Sequence, residues 1–378
     1  MIAYFDNAAT TQVCPEAAQA ALAAMTENYG NPSSTHTMGR MAKSVLDNAR
    51  GSVAKALGCT PDELFFTSCG SESDNWALLC GAESMKRRGK HIITSMAEHD
   101  AIRKSAAELS SRGYDVTLLP PDENGAVSVS SVLSALRDDT ILVSLMMVNN
   151  ETGAVTDISA ISKALKTNGS KALLHTDAVQ GFLKIPFSAK TLGADMISVS
   201  GHKIHAPKGI GALYIRRGVR IPPFIVGGSQ ESGHRAGTEA LPQIAAFGEA
   251  ARIGKEQLGT SIAHMTALRS HTAERLTQEN PGLIVIGGGS AHVLSISMPG
   301  YKSEVLMNYL EARGVYVSKS SACKKGGRSH VLEAMGLDSR VIDGAIRISF
   351  SRMNTLEQAD YLCDCLHSAR EELFTVLR

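Results

Sequence analysis

The stretch Ile-Leu-Val-Ser-Leu-Met-Met-Val at residues 141–148 decides the fold, because only one of its eight residues is polar. A strand this apolar is typical of a parallel sheet whose two faces are both covered. Longer runs of helical periodicity alternate with further short apolar runs, at residues 64–67, 91–94, 115–119, 172–175, 196–199 and 212–215. This alternation predicts an α/β fold, built from β-α-β units around a mostly parallel central sheet.

The chain is longer than one hydrophobic core usually allows. It has 378 residues, whereas a single core stops growing near about 250–300 residues, so we expect two domains. A long predicted helix over residues 241–275 is followed by the chain-breaking run Asn-Pro-Gly at 280–282. We predict a large domain over residues 15–255 and a smaller C-terminal α/β domain over residues 256–378, with residues 1–14 packing near the smaller one.

Composition and charge exclude several classes of protein. The chain has 38 Lys and Arg residues and 37 Asp and Glu residues. This balance argues against a protein that binds nucleic acids or membrane surfaces. No run approaches 18 apolar residues and the N-terminus lacks a signal-peptide pattern, so we expect a cytoplasmic protein without a membrane span. Seven cysteines, an odd number, argue against a disulfide framework and for a reducing compartment.

The first candidate site is the run Ser68-Cys69-Gly70-Ser71, between a predicted strand and a predicted helix. Backbone N–H groups at a helix start, together with hydroxyl groups, can bind an anion such as phosphate. A plain helix N-cap explains the same residues equally well. The run matches neither the Walker A spacing nor Gly-x-Gly-x-x-Gly.

The second candidate is Asp177, directly after a predicted buried strand. Ligands of open α/β sheets bind at the carboxyl ends of strands. A carboxylate buried there needs a cationic partner, and a protonated ring nitrogen would serve as one. The alternative is an N-cap for a short helix.

The third candidate is Lys203, in the run Ser200-Gly201-His202-Lys203 past another strand. This placement suits a lysine that forms a Schiff base, because burial readily shifts the pKa of lysine. A solvated surface charge is the alternative. His202 and His205 are three residues apart, but no cysteine or carboxylate nearby completes a ligand set, so we expect no metal site.

The fourth candidate is Cys323, which lies in a polar loop beside Lys324, Lys325 and Arg328. Cationic neighbours lower the pKa of a thiol and raise its thiolate fraction. The pattern therefore indicates a reactive cysteine, with a plain surface thiol as the alternative.

These motifs, in this order, resemble the cysteine desulfurases of the NifS/IscS type, a family of class V, fold-type I enzymes that use pyridoxal 5′-phosphate (PLP). The resemblance runs almost from end to end. It is carried by FDNAATT (5–11), YGNPSS (29–34), EH (98–99), NNETG (149–153), HTDAVQ (175–180), SGHK (200–203), GGSQE (227–231), RAGT (235–238), SAC (321–323) and IRIS (346–349). It implies a large PLP-binding domain, a smaller C-terminal domain, and the conversion of L-cysteine to L-alanine with a persulfide on Cys323.

The resemblance also implies a role for each matching residue. Lys203 holds PLP and moves the proton of the substrate Cα, Cys323 accepts sulfur, and His99 stacks on the ring and can relay a proton. The implied cofactor-binding residues are Gly70, Ser71, His99, Asp177, Gln180, Ser200, His202, Lys203 and Thr238, the last from a second subunit. The implied substrate-binding residues are Asn31, Asn150 and Arg347.

The implied partners are L-cysteine, a second copy of the chain, and a protein sulfur acceptor in iron–sulfur assembly or in tRNA or cofactor thiolation. The alternatives are a selenocysteine lyase, a sulfinate desulfinase, a class V aminotransferase, or a sulfur-relay protein that acts mainly by binding. A cysteine in a cationic loop argues against an aminotransferase, which needs no thiol.

Two departures from the family pattern bear on this interpretation. Residues 319–328 are more basic, and the loop is shorter, than the family usually shows, which affects the reach of Cys323 towards partners. The run Cys69-Gly70-Ser71 stands where the family has Gly-Ala-Thr, and the serine keeps the hydroxyl group. We interpret Cys69 as a small buried residue in a tight turn.

Overall fold

The computed structural model describes residues 1–319 and 327–374, so Cys323, Lys324 and Lys325 lie outside the described residues. The strands are β1 (Ala3–Tyr4), β2 (Leu64–Thr67), β3 (His91–Ser95), β4 (Asp115–Leu119), β5 (Thr140–Met146), β6 (Leu173–Asp177), β7 (Met196–Ser200), β8 (Gly211–Ile215), β9 (Ile284–Ile286), β10 (Val293–Ser297), β11 (Val315–Tyr316), β12 (Ser318–Lys319) and β13 (Ala345–Ser349).

Helices lie between and after these strands. The α-helices are α1 (Pro15–Thr26), α2 (Thr37–Leu57), α3 (Gly70–Asn75), α4 (Gly81–Met85), α5 (Asp100–Ser111), α6 (Val129–Ala135), α7 (Ile158–Thr167), α8 (Ala189–Leu192), α9 (Leu241–Glu256), α10 (Leu258–Glu279), α11 (Ser303–Glu311), α12 (His330–Ala334), α13 (Ser339–Asp343) and α14 (Leu356–Glu372). A π-helical turn joins α3 to α4, and short 3₁₀ turns include Gly201–Lys203 and Gln230–Gly233.

A seven-stranded sheet forms the centre of the larger part, in the order β2-β8-β7-β6-β5-β3-β4. Only β8 runs antiparallel to its neighbours among these strands, which confirms the predicted mostly parallel α/β sheet. Every residue of β5 is buried, as its apolar sequence requires of a strand covered on both faces. Met147 and Val148, predicted as part of this strand, lie beyond its end.

The prediction of one long helix over residues 241–275 is wrong. The structure has two helices, α9 and α10, which meet at Gln257, where φ is −96° and ψ is 7°. The two helices pack on different partners: α9 contacts α1 and α2, whereas α10 contacts α14. Helical periodicity continues across the break, so the sequence pattern did not reveal it.

A second, four-stranded antiparallel sheet lies in the C-terminal part, in the order β12-β13-β10-β9. The N-terminus joins this part, because β1 pairs with β11 in parallel. The rings of Phe5 and Phe350 meet edge to face at 5.5 Å. Residues 1–14 and the C-terminal part therefore share contacts.

The two largest apolar clusters of buried residues occupy different parts of the chain. One is composed of residues from Cys14 to Ile253. Another combines Ala3 and Phe5 with residues from Met265 to Ala369. The domain boundary near residue 255 stays a prediction, which this division of the core supports. Among the described residues, no helix is both long and apolar enough to cross a membrane.

Candidate active site

A cavity of about 380 Å³ lies beside the ends of β6 and β7, the start of α3, and β13. Its lining includes ten of the predicted site residues: Gly70, Ser71, His99, Asn150, Asp177, Gln180, Ser200, His202, Lys203 and Arg347. The volume lies within the range of about 300–1,000 Å³ that is typical of small-molecule sites. Nine of these residues lie together because parallel strands present their carboxyl ends on one edge, whereas Arg347 comes from β13 of the second sheet.

Three predicted residues are not part of this lining. Asn31 is exposed, and its side-chain oxygen accepts a hydrogen bond from Ser33 N at 2.9 Å within its own turn. Thr238 is exposed as well, as a residue that acts on a second subunit would be. Cys323 lies outside the described residues. The roles of all three stay predictions.

The side chain of Lys203 reaches the N-terminal segment of the chain. Its Nζ donates hydrogen bonds of 2.7 Å to the carbonyl oxygens of Ala8 and Ala9. Gln180 Nε2 donates to the same Ala8 oxygen at 2.8 Å. The N-terminal segment therefore fixes two predicted site residues, although it is far from them in sequence.

Asp177 is a buried carboxylate at the end of β6. Its Oδ1 accepts a hydrogen bond from Val179 N at 2.8 Å. Burial raises the pKa of Asp177, and the nearby His99 and Lys203 counteract part of that rise. A carboxylate in this position is stabilised by a cationic ligand group in the cavity.

Asp74 is a second carboxyl group in the lining, and sequence reasoning missed it. It is 1% exposed, and its Oδ1 has no hydrogen-bond partner within the part of the chain that the structure describes. Burial and the charge of Asp177 raise the pKa of Asp74 well above its usual range. Its position one helical turn after Gly70 was the available signal.

A row of polar side chains crosses three strands next to Asp74. His175 contacts Ser144 Oγ through Nδ1 and Ser198 Oγ through Nε2, both at 2.9 Å. Burial lowers the pKa of His175 to about 3, so the ring is neutral. The row links β5, β6 and β7 beneath the cavity.

The start of α3 and the loop after β7 form another side of the cavity. Ser200 Oγ is buried and has no hydrogen-bond partner among residues 1–319 and 327–374. A Cβ atom on Gly70 would lie 2.7 Å from Val179 Cγ2, so glycine fits this close approach. Burial, with Lys203 nearby, lowers the pKa of His202 to about 4 and keeps it neutral. Polar hydrogen-bonding groups therefore converge without a net negative charge.

Arg347 is 2% exposed and points from β13 into the cavity. One terminal nitrogen donates to Asp6 Oδ1 at 2.7 Å and the other to the carbonyl oxygen of Asn150 at 2.8 Å. Its Nε is buried and has no partner in the described structure. Two of its five N–H donors thus hold the guanidinium in place, and the other three are not used by Asp6 or Asn150.

His99 is fixed as the N-cap of α5. Its Nδ1 accepts a hydrogen bond from Ala101 N at 3.1 Å. A ring nitrogen that accepts a hydrogen bond carries no proton, so the N–H group of this ring is at Nε2. The half-buried ring therefore presents a defined tautomer at the cavity.

The opposite side of the cavity contains Glu151 and His330, which sequence reasoning also missed. Ser329 Oγ donates to Glu151 Oε2, and His330 Nε2 donates to the carbonyl oxygen of Glu98 at 3.0 Å. Burial raises the pKa of Glu151 to about 7. Arg328, predicted as a cation beside Cys323, pairs with Asp343 at 2.9 Å. These bonds attach the start of α12 to the cavity.

Cys69 is half-buried and lines the cavity, so it is more accessible than the predicted buried turn residue. Its extended backbone, with φ −173° and ψ 172°, places it at the N-cap of α3. No group of three or more His, Cys, Asp or Glu side chains is arranged to hold a metal ion among the residues described.

Comparison with known proteins identifies the family of this chain. The family model described as aminotransferase class-V matches residues 3–362. A protein of Methanosarcina thermophila named cysteine desulfurase IscS is 40% identical over 375 residues, which cover 98% of this chain and 92% of the relative. The putative cysteine desulfurase IscS 1 of Bacillus subtilis is 40% identical over 361 residues, which cover 94% of this chain and 95% of the relative.

Solved structures agree with this assignment. A NifS-like protein superimposes with a TM-score of 0.93 at 40% identity, covering 99% of this chain and 100% of the other. A structure titled SspA in complex with cysteine superimposes with a TM-score of 0.81 at 30% identity. The match covers 93% of this chain and 100% of the other. The chain belongs to the aminotransferase class-V family and, within it, to the cysteine desulfurases of the NifS/IscS type.

Proposed function

We propose that the protein is a cysteine desulfurase that holds PLP on Lys203, converts L-cysteine to L-alanine and takes up the sulfur on Cys323. The observation that carries the proposal is that Lys203, Asp177 and Arg347 meet at one cavity. This cavity lies in a chain that is 40% identical over nearly its whole length to a protein named cysteine desulfurase.

The residues present fit PLP. The buried carboxylate of Asp177 suits a protonated pyridine nitrogen, and Gln180 can donate a hydrogen bond to the phenolic oxygen of the ring. Ser200 Oγ, which is buried and lacks a partner among the described residues, suits a phosphate oxygen. Gly70, Ser71 and His202 would complete the phosphate site, and Thr238 would join them from a second subunit. When bound, PLP supplies an electron sink that stabilises negative charge at the substrate Cα.

The chain itself orients the substrate and moves its protons. Arg347 binds the substrate carboxylate with N–H groups that Asp6 and Asn150 do not use, and it exchanges part of its contact with Asp6. Asn150 and Asn31 assist. Lys203 accepts the proton of the substrate Cα, because its amine lies at the same cavity as Arg347. The carbonyl oxygens of Ala8 and Ala9 keep the amine in position between proton transfers.

The transfer of sulfur to Cys323 conserves atoms and electrons without an added oxidant. Cys323 Sγ bonds to the substrate sulfur while the Cβ–S bond of the substrate breaks, and Cβ takes up a proton. The sum of the reaction is one thiol and one L-cysteine giving one persulfide and one L-alanine. His99, with a proton on Nε2, would relay the proton.

We further propose a cytoplasmic homodimer that delivers the persulfide sulfur to a protein acceptor. The exposure of Thr238 supports the dimer, because this residue would otherwise have no cofactor to bind. Relatives named IscS support a role in sulfur supply.

The test measures the alanine that the purified protein releases from L-cysteine. Two comparison reactions use L-selenocysteine alone, or L-alanine together with a keto acid. We expect a yellow protein that releases alanine from L-cysteine. Lys203→Ala should lose both the visible absorbance and alanine release, whereas Lys208→Ala, an exposed lysine of the same loop, should keep both. Parent-level alanine release by Lys203→Ala would overturn the assignment.

A further inference from the structure

Lys184 is a buried lysine that the mechanism above does not use. It lies seven residues after Asp177, is 6% exposed, and lines a small cavity of about 30 Å³ together with Lys203. Its Nζ donates one long hydrogen bond, 3.4 Å, to Gln180 Oε1. A lysine in such surroundings is costly to bury, because its charged form loses hydration.

Lys184 fixes which end of the Gln180 amide faces the cofactor cavity. An ammonium or amine N–H can donate to the amide oxygen, so Oε1 faces Lys184. The amide nitrogen donates to the carbonyl oxygen of Ala8 at 2.8 Å. The second N–H of Gln180 is then available to donate towards the cavity that Gln180 also lines.

Lys184 also places a basic group next to Lys203. Burial lowers the pKa of Lys184 to about 7, and the neighbouring cations Lys203 and Arg347 contribute to the same shift. The other titratable or charged groups that face Lys184 are His202, His205, His292 and Arg352. Two neighbouring basic groups disfavour each other's protonation, so a proton on Lys184 makes Lys203 harder to protonate.

We propose that Lys184 is a positioning residue of the cofactor site, which orients the Gln180 amide and places a second basic group behind Lys203. This inference rests on the proposed function, because it requires that PLP occupies the cavity and is held by Lys203. Lys184 acts through Gln180 and Lys203 and does not touch the substrate.

The test titrates the visible absorbance of the PLP-loaded protein with pH, since the midpoint reports protonation of the Lys203 nitrogen. In Lys184→Met we expect the midpoint to rise by about 0.5–1 pH unit, because a neighbouring cation is lost. Lys184→Arg keeps a cation at this position at every pH, so its midpoint should lie at or below the parent value. Lys208→Met removes an exposed, solvent-screened cation of the same loop and should shift the midpoint far less.

Thermal unfolding of the PLP-free protein provides a second readout that separates positioning from packing. Lys184→Met should raise Tm by a few degrees, because a buried, weakly bonded lysine is replaced by an apolar side chain of similar length. A higher Tm with an unchanged titration midpoint would overturn the positioning role. A parent protein without visible absorbance would overturn the proposed function itself, so the two failures are distinguishable.

Discussion

At the scale of single residues, Arg347 carries substrate binding in the proposed reaction. We predict that Arg347→Lys raises KM for L-cysteine about 10- to 100-fold, since a charge-assisted hydrogen bond contributes about 1.5–3 kcal/mol. Lysine cannot reproduce the planar contacts to Asp6, Asn150 and a carboxylate together. Steady-state kinetics checks this, with the exposed Arg340→Lys as the control. An unchanged KM would contradict a role of Arg347 in binding the substrate.

Glu151 gives the protein a pH-dependent stability. Burial raises the pKa of Glu151 to about 7, above the value of about 4.3 in an unfolded chain. Between these pH values the folded state retains a proton that the unfolded state has lost, so this contribution to the free energy of unfolding falls as pH rises.

Glu151→Gln removes this pH dependence and keeps a hydrogen bond to Ser329. Relative to the parent, the variant should gain stability progressively from about pH 4.5 to pH 7, by at most about 4 kcal/mol, and keep this gain at higher pH. Denaturant unfolding at several pH values measures the difference, with the exposed Glu123→Gln as control. Parallel curves for the parent and Glu151→Gln would contradict this, because they would show that folding does not raise the pKa of Glu151.

The site residues that lie in recognisable motifs could be predicted from the sequence. Those that stand out only because they are buried in the fold could not. Lys203 and Asp177 follow apolar strands, so their convergence at one sheet edge follows from the α/β pattern. Asp74 and Glu151 are charged residues in a helix and a loop, positions that are usually solvated. Only the packing of β7, α12 and β13 around them makes their carboxyl groups part of the cavity.

At the scale of elements, α2 and α9 pack at a distance that only glycine permits. A Cβ on Gly248 would lie 2.6 Å from Ala49 Cα. Gly248→Ala should therefore cost about 1–3 kcal/mol in the free energy of unfolding, because the helices must separate. Gly51→Ala, in the interior of α2 with nothing within 4 Å, should gain about 0.5–1 kcal/mol. Denaturant unfolding of both variants checks this, and a change of the same sign in both would contradict it.

Periodicity predicted strands more accurately than helix ends. The runs at 64–67 and 115–119 coincide with β2 and β4, because each is a short apolar or β-branched segment with clear borders. The break at Gln257 has no proline or glycine directly beside it, and the two helices that meet there pack on different partners. Two-residue strands such as β1 exist only because a partner strand lies beside them.

At the scale of the whole molecule, the proposed cofactor site includes Thr238 from a second copy of the chain. Ile225 pairs with Ala236, which places the 84%-exposed Val226 on the same surface loop as Thr238. We predict that the protein sediments with twice the chain mass, and that Val226→Asp weakens dimerisation and PLP affinity together. The same change at Val305, on α11, should affect neither. A dimer-free Val226→Asp protein with parent PLP affinity would contradict a contribution of Thr238 from the partner.

The fold class was predictable because an α/β pattern repeats along the chain, whereas the contact of the N-terminus with the C-terminal part depends on distant residues. Arg347 pairs with Asp6, and Asn7 Nδ2 donates to the carbonyl oxygen of Ser349 at 2.9 Å. These bonds join the two ends of the chain at the cavity. The proposed site therefore needs the complete fold rather than the central sheet alone.

The most direct test of the proposed function is the location of the persulfide after reaction with L-cysteine. Mass spectrometry of the intact protein and its peptides should find one added sulfur atom on Cys323, in the parent and in Cys69→Ala, the control for the thiol that lines the cavity. Cys323→Ala should lack the added sulfur and release alanine far more slowly. Formation of alanine and protein-bound persulfide by Cys323→Ala at the parent rate would contradict the account.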